Sequence, residues 1–193
     1  LPADAPALFE ELLAEIERWN RRIRLTSPAS RDDLALRLID DSLVLVPLLT
    51  GSTVVDVGSG PGIPGLPIAI ARRDVEIRTV EAVGKKVAFT RAFLGSHPDL
   101  RVRPFHGRAE GRSDEPWAPG DTVVSRALSN PSAWIPLGAP LVAPGGRLLV
   151  TLGVSDGTVG DAVAQAHGLR FGGLWSGDVG GAARKVRWYE KPV

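Results

Sequence analysis

The chain has 193 residues, of which 44% are hydrophobic and 23% charged, with a net charge of +1. That length suits one globular domain, with room for a small appendage at one end, able to bury a core without covalent staples. It contains no cysteine, which excludes disulfides, thiolate metal sites and cysteine nucleophiles together. The first stretch, LPADAPALFEELLAEIERWN, carries acids early and has no uninterrupted apolar run. It reads as neither signal peptide nor membrane anchor, so a cytoplasmic protein with no membrane partner is expected.

Leu8, Leu12, Leu13, Ile16 and Trp19 form a helical stripe from about Pro6 to Asn20. A basic connector, RRIRLTSPAS, leads to a second helix. Ser30 is its expected N-cap, Asp32 and Asp33 lie in its first turn, and a break falls before Pro47. From Ser52 the pattern alternates. STVVDVG, VEIRTVE, LRVRPFH, GDTVVSRA and GGRLLVTLG read as strands; PGLPIAIARR, GKKVAFTRAFLGSH, PSAWIPLGAPLVA and the weaker DGTVGDAVAQAHG read as helices between or after them. LRFGGLWSG and ARKVRWYEK close the chain as two strands joined by glycines, and so as antiparallel neighbours. The expected fold is α/β: a doubly wound, mostly parallel sheet in residues 51–193, with residues 1–50 as a helical segment packed on it.

The chemistry centres on VVDVGSGPGIPG, Val54 to Gly65. Gly60, Gly62 and Gly65 match the dinucleotide spacing G-x-G-x-x-G, but that frame starts two residues late. Counted from Gly58, directly after the strand, the third position is Ile63 and fails. Pro61 and Pro64 also remove N–H groups that a pyrophosphate nest needs. The other frame is Asp56-x-Gly58-x-Gly60-x-Gly62, an acid on the strand followed by alternating glycines. Glycines there let backbone press against a ligand, and the carboxylate can orient polar groups nearby.

This second frame resembles motif I of the class I S-adenosylmethionine-dependent methyltransferases. DVGSGPGIPGLPIAI more narrowly resembles the bacterial 16S ribosomal RNA (guanine-N7)-methyltransferases, also called glucose-inhibited division protein B. EAVGKKVAF (Glu81 to Phe89), HGRAE (His106 to Glu110) and VVSRAL (Val123 to Leu128) agree with that family in order and spacing. LTSPASRDDLALRLIDDSL (Leu25 to Leu43) resembles a degenerate form of its N-terminal signature. The resemblance covers nearly the whole chain. It implies an enzyme with S-adenosylmethionine as cofactor and, as partner, 16S ribosomal RNA, the 30S particle or an assembly intermediate, with a monomer expected. It further implies that Asp56, Gly58, Gly60, Gly62 and Ile63 line the cofactor loop and that Glu81 takes the ribose. Ala109 and Glu110 would frame the adenine, and Arg126 would lie between cofactor and substrate as the candidate catalytic residue. Two positions depart from the family: Leu38 stands where it usually has His, and Leu152 where it usually has Lys.

Guanine N7 has an in-plane lone pair and no proton, so its methylation needs alignment rather than a general base. Arg126 can present a planar fork to an acceptor atom or a phosphate; its blander reading is a surface ion pair. Asn130, before Pro131, reads as a helix cap. Among clustered cations, Arg22, Arg24, Lys85 and Lys86 are the candidate RNA contacts, with a solvated basic face as the alternative account. Lys85 and Lys86 begin a helix, where cations oppose the dipole. His97, His106 and His167 lack metal-ligand spacing, and the five tryptophans are dispersed as in core packing. Three other functions stay open: a methyltransferase of the same fold acting on a small molecule or another RNA, a cofactor-binding module without turnover, and an NAD-linked oxidoreductase.

Overall fold

The computed structural model describes residues 1–27, 30–110, 117–126, 130–152 and 160–193. Helix α1 (Ala5–Asn20) buries Phe9, Leu12, Leu13 and Ile16, the stripe its periodicity requires. α2 (Arg31–Leu34) starts at Ser30, whose hydroxyl accepts a hydrogen bond from the Asp33 N–H at 3.1 Å. The regular helix expected beyond it is not regular. A π turn over Ala35–Asp40 separates α2 from α3 (Asp41–Leu43), and a 3₁₀ turn follows at Val46–Leu48. The wider turn holds an extra residue. Leu38 and Ile39 both enter the core, Asp41 emerges on the sheet side, and the Ser42 hydroxyl donates back to the Leu38 carbonyl at 2.6 Å.

The α/β unit then runs β1 (Thr53–Val57), α4 (Gly65–Ala71), β2 (Glu76–Glu81), α5 (Gly84–Ser96), β3 (Val102–His106), β4 (Gly120–Val124), α6 (Pro131–Gly138), β5 (Val142–Leu152), α7 (Asp161–Ala166), β6 (Arg170–Val179) and β7 (Ala182–Glu190). Asn130 caps α6 by accepting from the Ser132 N–H at 3.0 Å. β5 begins earlier than the sequence suggests, because Val142 already pairs with Gly120 while α6 has ended in a 3₁₀ turn at Ala139–Leu141.

The seven strands lie in the order β3-β2-β1-β4-β5-β7-β6. β1 to β5 are parallel, and β7 runs antiparallel between β5 and β6. One face of the sheet is covered by α1, the Leu25–Leu48 segment, α4 and α5 in a single apolar cluster; the other carries α6 and α7 around Trp134 and Tyr189. The strand order reverses outward from β1 and β4. In an open α/β sheet that reversal leaves a crevice at the carboxyl ends of those two strands. The antiparallel β7 adds something to it: its first residues arrive where the parallel strands finish, and Lys185 pairs with Leu152.

Candidate functional site

Asp56 lies near the end of β1 and is fully buried. Its Oδ2 accepts a hydrogen bond from the Gly65 N–H at 2.8 Å, the first residue of α4. Burial pushes its pKa up to about 7, against the Gly65 hydrogen bond and the Arg126 charge, which favour the ionised form. Gly65 has no space for a side chain. A Cβ there would stand 2.9 Å from both Ile77 Cγ2 and Thr79 Cγ2 of β2, so glycine lets helix and strand close together.

Glu81 ends β2 and holds the loop from the other side. Its Oε2 accepts from the Gly60 N–H and its Oε1 from the Val83 N–H, each at 2.8 Å. The Gly58 and Ser59 N–H groups both donate to the Val80 carbonyl, at 2.8 and 3.2 Å. The loop is thereby laid across the end of β2. Gly60 has φ +57°, and a Cβ built on it would meet nothing within 4 Å. The outer face of the loop is therefore open, beside a carboxylate that backbone has already oriented. A carboxylate has about four lone-pair sites, so Glu81 can still accept from two hydroxyls.

Asp56 Oδ1, Ser59 Oγ, Ser125 Oγ and Arg126 Nη1 are buried without a hydrogen-bond partner among the described residues. All four lie at the carboxyl ends of β1 and β4. Buried polar atoms are nearly always satisfied, so a cluster of orphans marks a place for a polar ligand. The donor set would fit S-adenosylmethionine, with Glu81 for the ribose hydroxyls, the Gly58–Gly62 loop for close backbone contact, and the orphaned Asp56, Ser59 and Ser125 groups for its polar end. Gly62 and Ile63 complete the loop, with Ile63 buried. Beyond β3, the Gly107 N–H donates to the Glu81 carbonyl at 3.0 Å, which brings the following residues toward the same crevice. Ala109 is half-buried against the apolar cluster under α6, and Glu110 is exposed.

Arg126 follows β4. Its Nη2 stands 3.6 Å from Asp41 Oδ2 and its side chain is 24% exposed, so it does form an ion pair, but a largely buried one rather than a surface one. Burial lowers its pKa from the ordinary guanidinium value, while Asp41 and Asp56 work to keep it charged. Asp41 also accepts from Arg184 of β7, through Nε at 2.8 Å and Nη2 at 3.5 Å. Asp41 lies in the N-terminal stretch that resembles the family signature but was given no role, and Arg184 belongs to no motif. They meet Arg126 only because the π turn and the antiparallel strand deliver them there. Ala127 and Leu128 of the VVSRAL stretch, Pro28 and Ala29 of the N-terminal stretch, and Gly153 lie outside the described residues.

The candidate RNA contacts lie at the end of α1 and the start of α5. Arg22 lines a cavity of about 360 Å³ with Arg18, Arg21, Trp19 and Ile23, and Arg24 is exposed just beyond it. Trp19 meets Phe89 of α5 edge-on at 5.5 Å. That contact brings the end of α1 toward the first half of α5, where Lys85 is exposed and Lys86 partly so. The two departures from the family separate. Leu38 is packed in the core, whereas Leu152 lines the cavity next to Arg126. His97 and His106 are held by backbone carbonyls of Phe93 and Ala82, at 2.8 and 3.1 Å. Among the described residues no three metal-ligating side chains cluster, and no helix is long and apolar enough to cross a membrane.

Solved structures give the class first. A magnesium protoporphyrin IX methyltransferase from Synechocystis PCC 6803, solved with bound S-adenosylmethionine, superposes with TM-score 0.62 at 13% identity over 99% of this chain and 98% of its own. A putative RNA methyltransferase from Pyrococcus horikoshii gives 0.59 at 13% identity over 97% and 100%. A [4+2]-cyclase gives 0.62 at 18% identity over 96% and 93%, so this likeness defines a fold and not a reaction. The fold is that of the class I methyltransferases.

The sequence relatives go further. The family model for rRNA small subunit methyltransferase G (GidB) matches residues 6–158. A protein of Anaeromyxobacter dehalogenans named ribosomal RNA small subunit methyltransferase G is 44% identical over 99% of this chain and 92% of its own length. The Myxococcus xanthus protein of the same name is 35% identical over 78% and 70%. The chain belongs to the rRNA small subunit methyltransferase G family, and it is an S-adenosylmethionine-dependent enzyme.

Proposed function

We propose that the chain methylates N7 of a guanine in 16S ribosomal RNA, acting on the 30S particle or an assembly intermediate as a cytoplasmic monomer. The observation that carries the reading is the pairing of the Glu81-bound glycine loop with an acceptor side whose carboxylate is occupied. Asp41 is bound by Arg184 at 2.8 Å and faces Arg126 at 3.6 Å. A carboxylate so engaged is a poor general base, and N7 needs none. Full-length relatives named for small-subunit ribosomal RNA methylation supply the substrate class.

When bound, S-adenosylmethionine supplies an electrophilic methyl group on its sulfonium. The chain's part is alignment. Glu81 holds the ribose end, the Gly58–Gly62 loop closes on the ligand, and Arg126 stands at the boundary between the cofactor side and the acceptor side. Holding two reactants in line supplies much of the barrier reduction for such a displacement. Ala109 and Glu110 are assigned to the adenine side, and Arg22, Arg24, Lys85 and Lys86 to the RNA backbone, where the exposure of the first three and the partial exposure of Lys86 suit phosphate contact.

The test is incubation with radiolabelled S-adenosylmethionine and 30S subunits from cells lacking the enzyme, followed by mapping of label in 16S RNA. Label at one guanine, abolished by Gly58→Asp, is expected. Intact cofactor binding by calorimetry with no label in 30S or in deproteinised 16S RNA would overturn the substrate and leave the fold.

A further inference from the structure

We infer that Arg184 and Arg126, bridged by Asp41, form a subsite for one phosphodiester of the substrate RNA next to the methyl-transfer site. This rests on the RNA-methyltransferase reading above and adds to it a residue of the C-terminal hairpin. A cavity of about 190 Å³ lies at the carboxyl end of β5, lined by Asp41, Arg126, Arg184 and Lys185 together with Leu152 and Val186 among its apolar walls. Arg126, Arg184 and Lys185 line it with one carboxylate, Asp41, and the charges of Asp56 and Arg37 also reach Arg126, which leaves cations in excess. A surplus of positive charge beside a site for a sulfonium cation does not serve that cation. It serves an anion, here assigned to the RNA, with the cofactor's own carboxylate as the competing occupant.

The geometry fits a phosphate. Asp41 engages Arg184 through both Nε and Nη2, at 2.8 and 3.5 Å, and stands 3.6 Å from Arg126 Nη2. One carboxylate therefore sits between two planar forks in the position an oxyanion would take. Arg126 Nη1 is buried with no partner among the described residues, so the pair keeps donor capacity that Asp41 does not use. A phosphodiester can bind guanidiniums through two oxygens at once, which a lysine pair would not match in geometry. Arg184 reaches this place because β7 is antiparallel and starts where β5 ends, Lys185 opposite Leu152. The apolar Leu152 leaves that wall without charge, and the cations come from the neighbouring strand instead.

The experiment compares wild type with Arg184→Ala and Arg184→Lys on unmethylated 30S subunits. Equilibrium binding is measured across a potassium chloride series, and turnover is measured with saturating S-adenosylmethionine. Arg184→Ala should raise KM for 30S about tenfold, with kcat within about twofold. It should also reduce the slope of log K against log salt by about 0.7, the value for one phosphate on a single strand. Arg184→Lys should recover most of the salt slope and less of KM. Asp41→Asn, if the thermal melt shows it folded, should tighten binding at low salt. An unchanged KM and salt slope in Arg184→Ala would overturn the subsite. A weakened affinity for S-adenosylmethionine in that variant would also overturn it, by assigning the guanidiniums to the cofactor's carboxylate. Wild type that binds 30S but does not methylate it would sink the function proposed above, while the salt slope would still decide the subsite.

Discussion

Two groups of carboxylates face the crevice, and they are held in opposite ways. Asp56 and Glu81 accept from backbone N–H groups of the glycine loop and the turns beside it, all within 28 residues of chain from Asp56 to Val83 inclusive. Asp41 is held by guanidiniums from residues 126 and 184, which are remote in sequence. The first arrangement ties the acids to the fold itself, since the loop cannot take its path without them. The second ties an acid to two side chains that a substrate can compete for. The cofactor side is thus built into the backbone, and the acceptor side is an ionic arrangement that can be exchanged.

The largest effect should come from breaking the first arrangement at Glu81. Glu81→Gln keeps the shape but leaves one carbonyl oxygen to serve Gly60, Val83 and the ribose. Charge-assisted hydrogen bonds contribute about 1.5–3 kcal/mol each. Affinity for S-adenosylmethionine by calorimetry should therefore fall on the order of 100-fold, while Arg184→Ala leaves it unchanged. Equal losses in the two variants would erase the distinction between the two sides.

Most of the fold was legible because its signals are local. Alternating apolar strands and amphipathic helices set the α/β pattern, and Ser30 and Asn130 cap the helices their positions announce. The loop was legible because glycines interleaved with prolines after a buried strand are rare without a close approach to explain them. Gly65 shows the limit of that reading. It stood out as part of a rejected dinucleotide frame, yet it has the close-packing role of such a glycine, against Ile77 and Thr79. The Asp41–Arg184 contact was not legible at all. It depends on a π turn, which has no sequence period to detect, and on the register of an antiparallel strand, which pairs Lys185 with Leu152. Single charged residues meeting across that distance leave no pattern in one sequence.

Gly65 and Gly60 sharpen the same contrast within the loop. Gly65→Ala must push Ile77, Thr79 or the helix aside, and such overpacking costs about 1–3 kcal/mol. Gly60→Ala meets no atom and has only the left-handed backbone to accommodate, at roughly 1–2 kcal/mol. Urea unfolding should rank Gly65→Ala as the less stable, and only Gly60→Ala should retain a normal unfolding slope together with weakened cofactor binding. The reverse ranking would mean that α4 is not pressed on β2 through this residue.

The smallest effect, and the one most specific to the backbone-held side, is the pH dependence of Asp56. Its pKa is raised to about 7 by burial, with Arg126 opposing the rise and Glu81 adding to it. Between the ordinary carboxylate value near 4 and about 7, the folded protein holds a proton that the unfolded chain has lost. Stability contributed by this group is therefore present below that window and declines as pH rises through it, by at most about 1.4 kcal/mol per pH unit. Asp56→Asn keeps an oxygen for the Gly65 N–H and cannot ionise. Its thermal stability should fall less steeply than wild type from pH 5 to 8, with the curves converging or crossing toward alkaline pH. A ligand that orders Arg126 against Asp56 favours the ionised carboxylate, so saturating S-adenosylmethionine should flatten the wild-type curve toward that of the variant. Parallel curves for the two proteins, with and without cofactor, would show that Arg126 and the Gly65 N–H already keep Asp56 ionised, and that its orphaned Oδ1 is an acceptor at every pH tested.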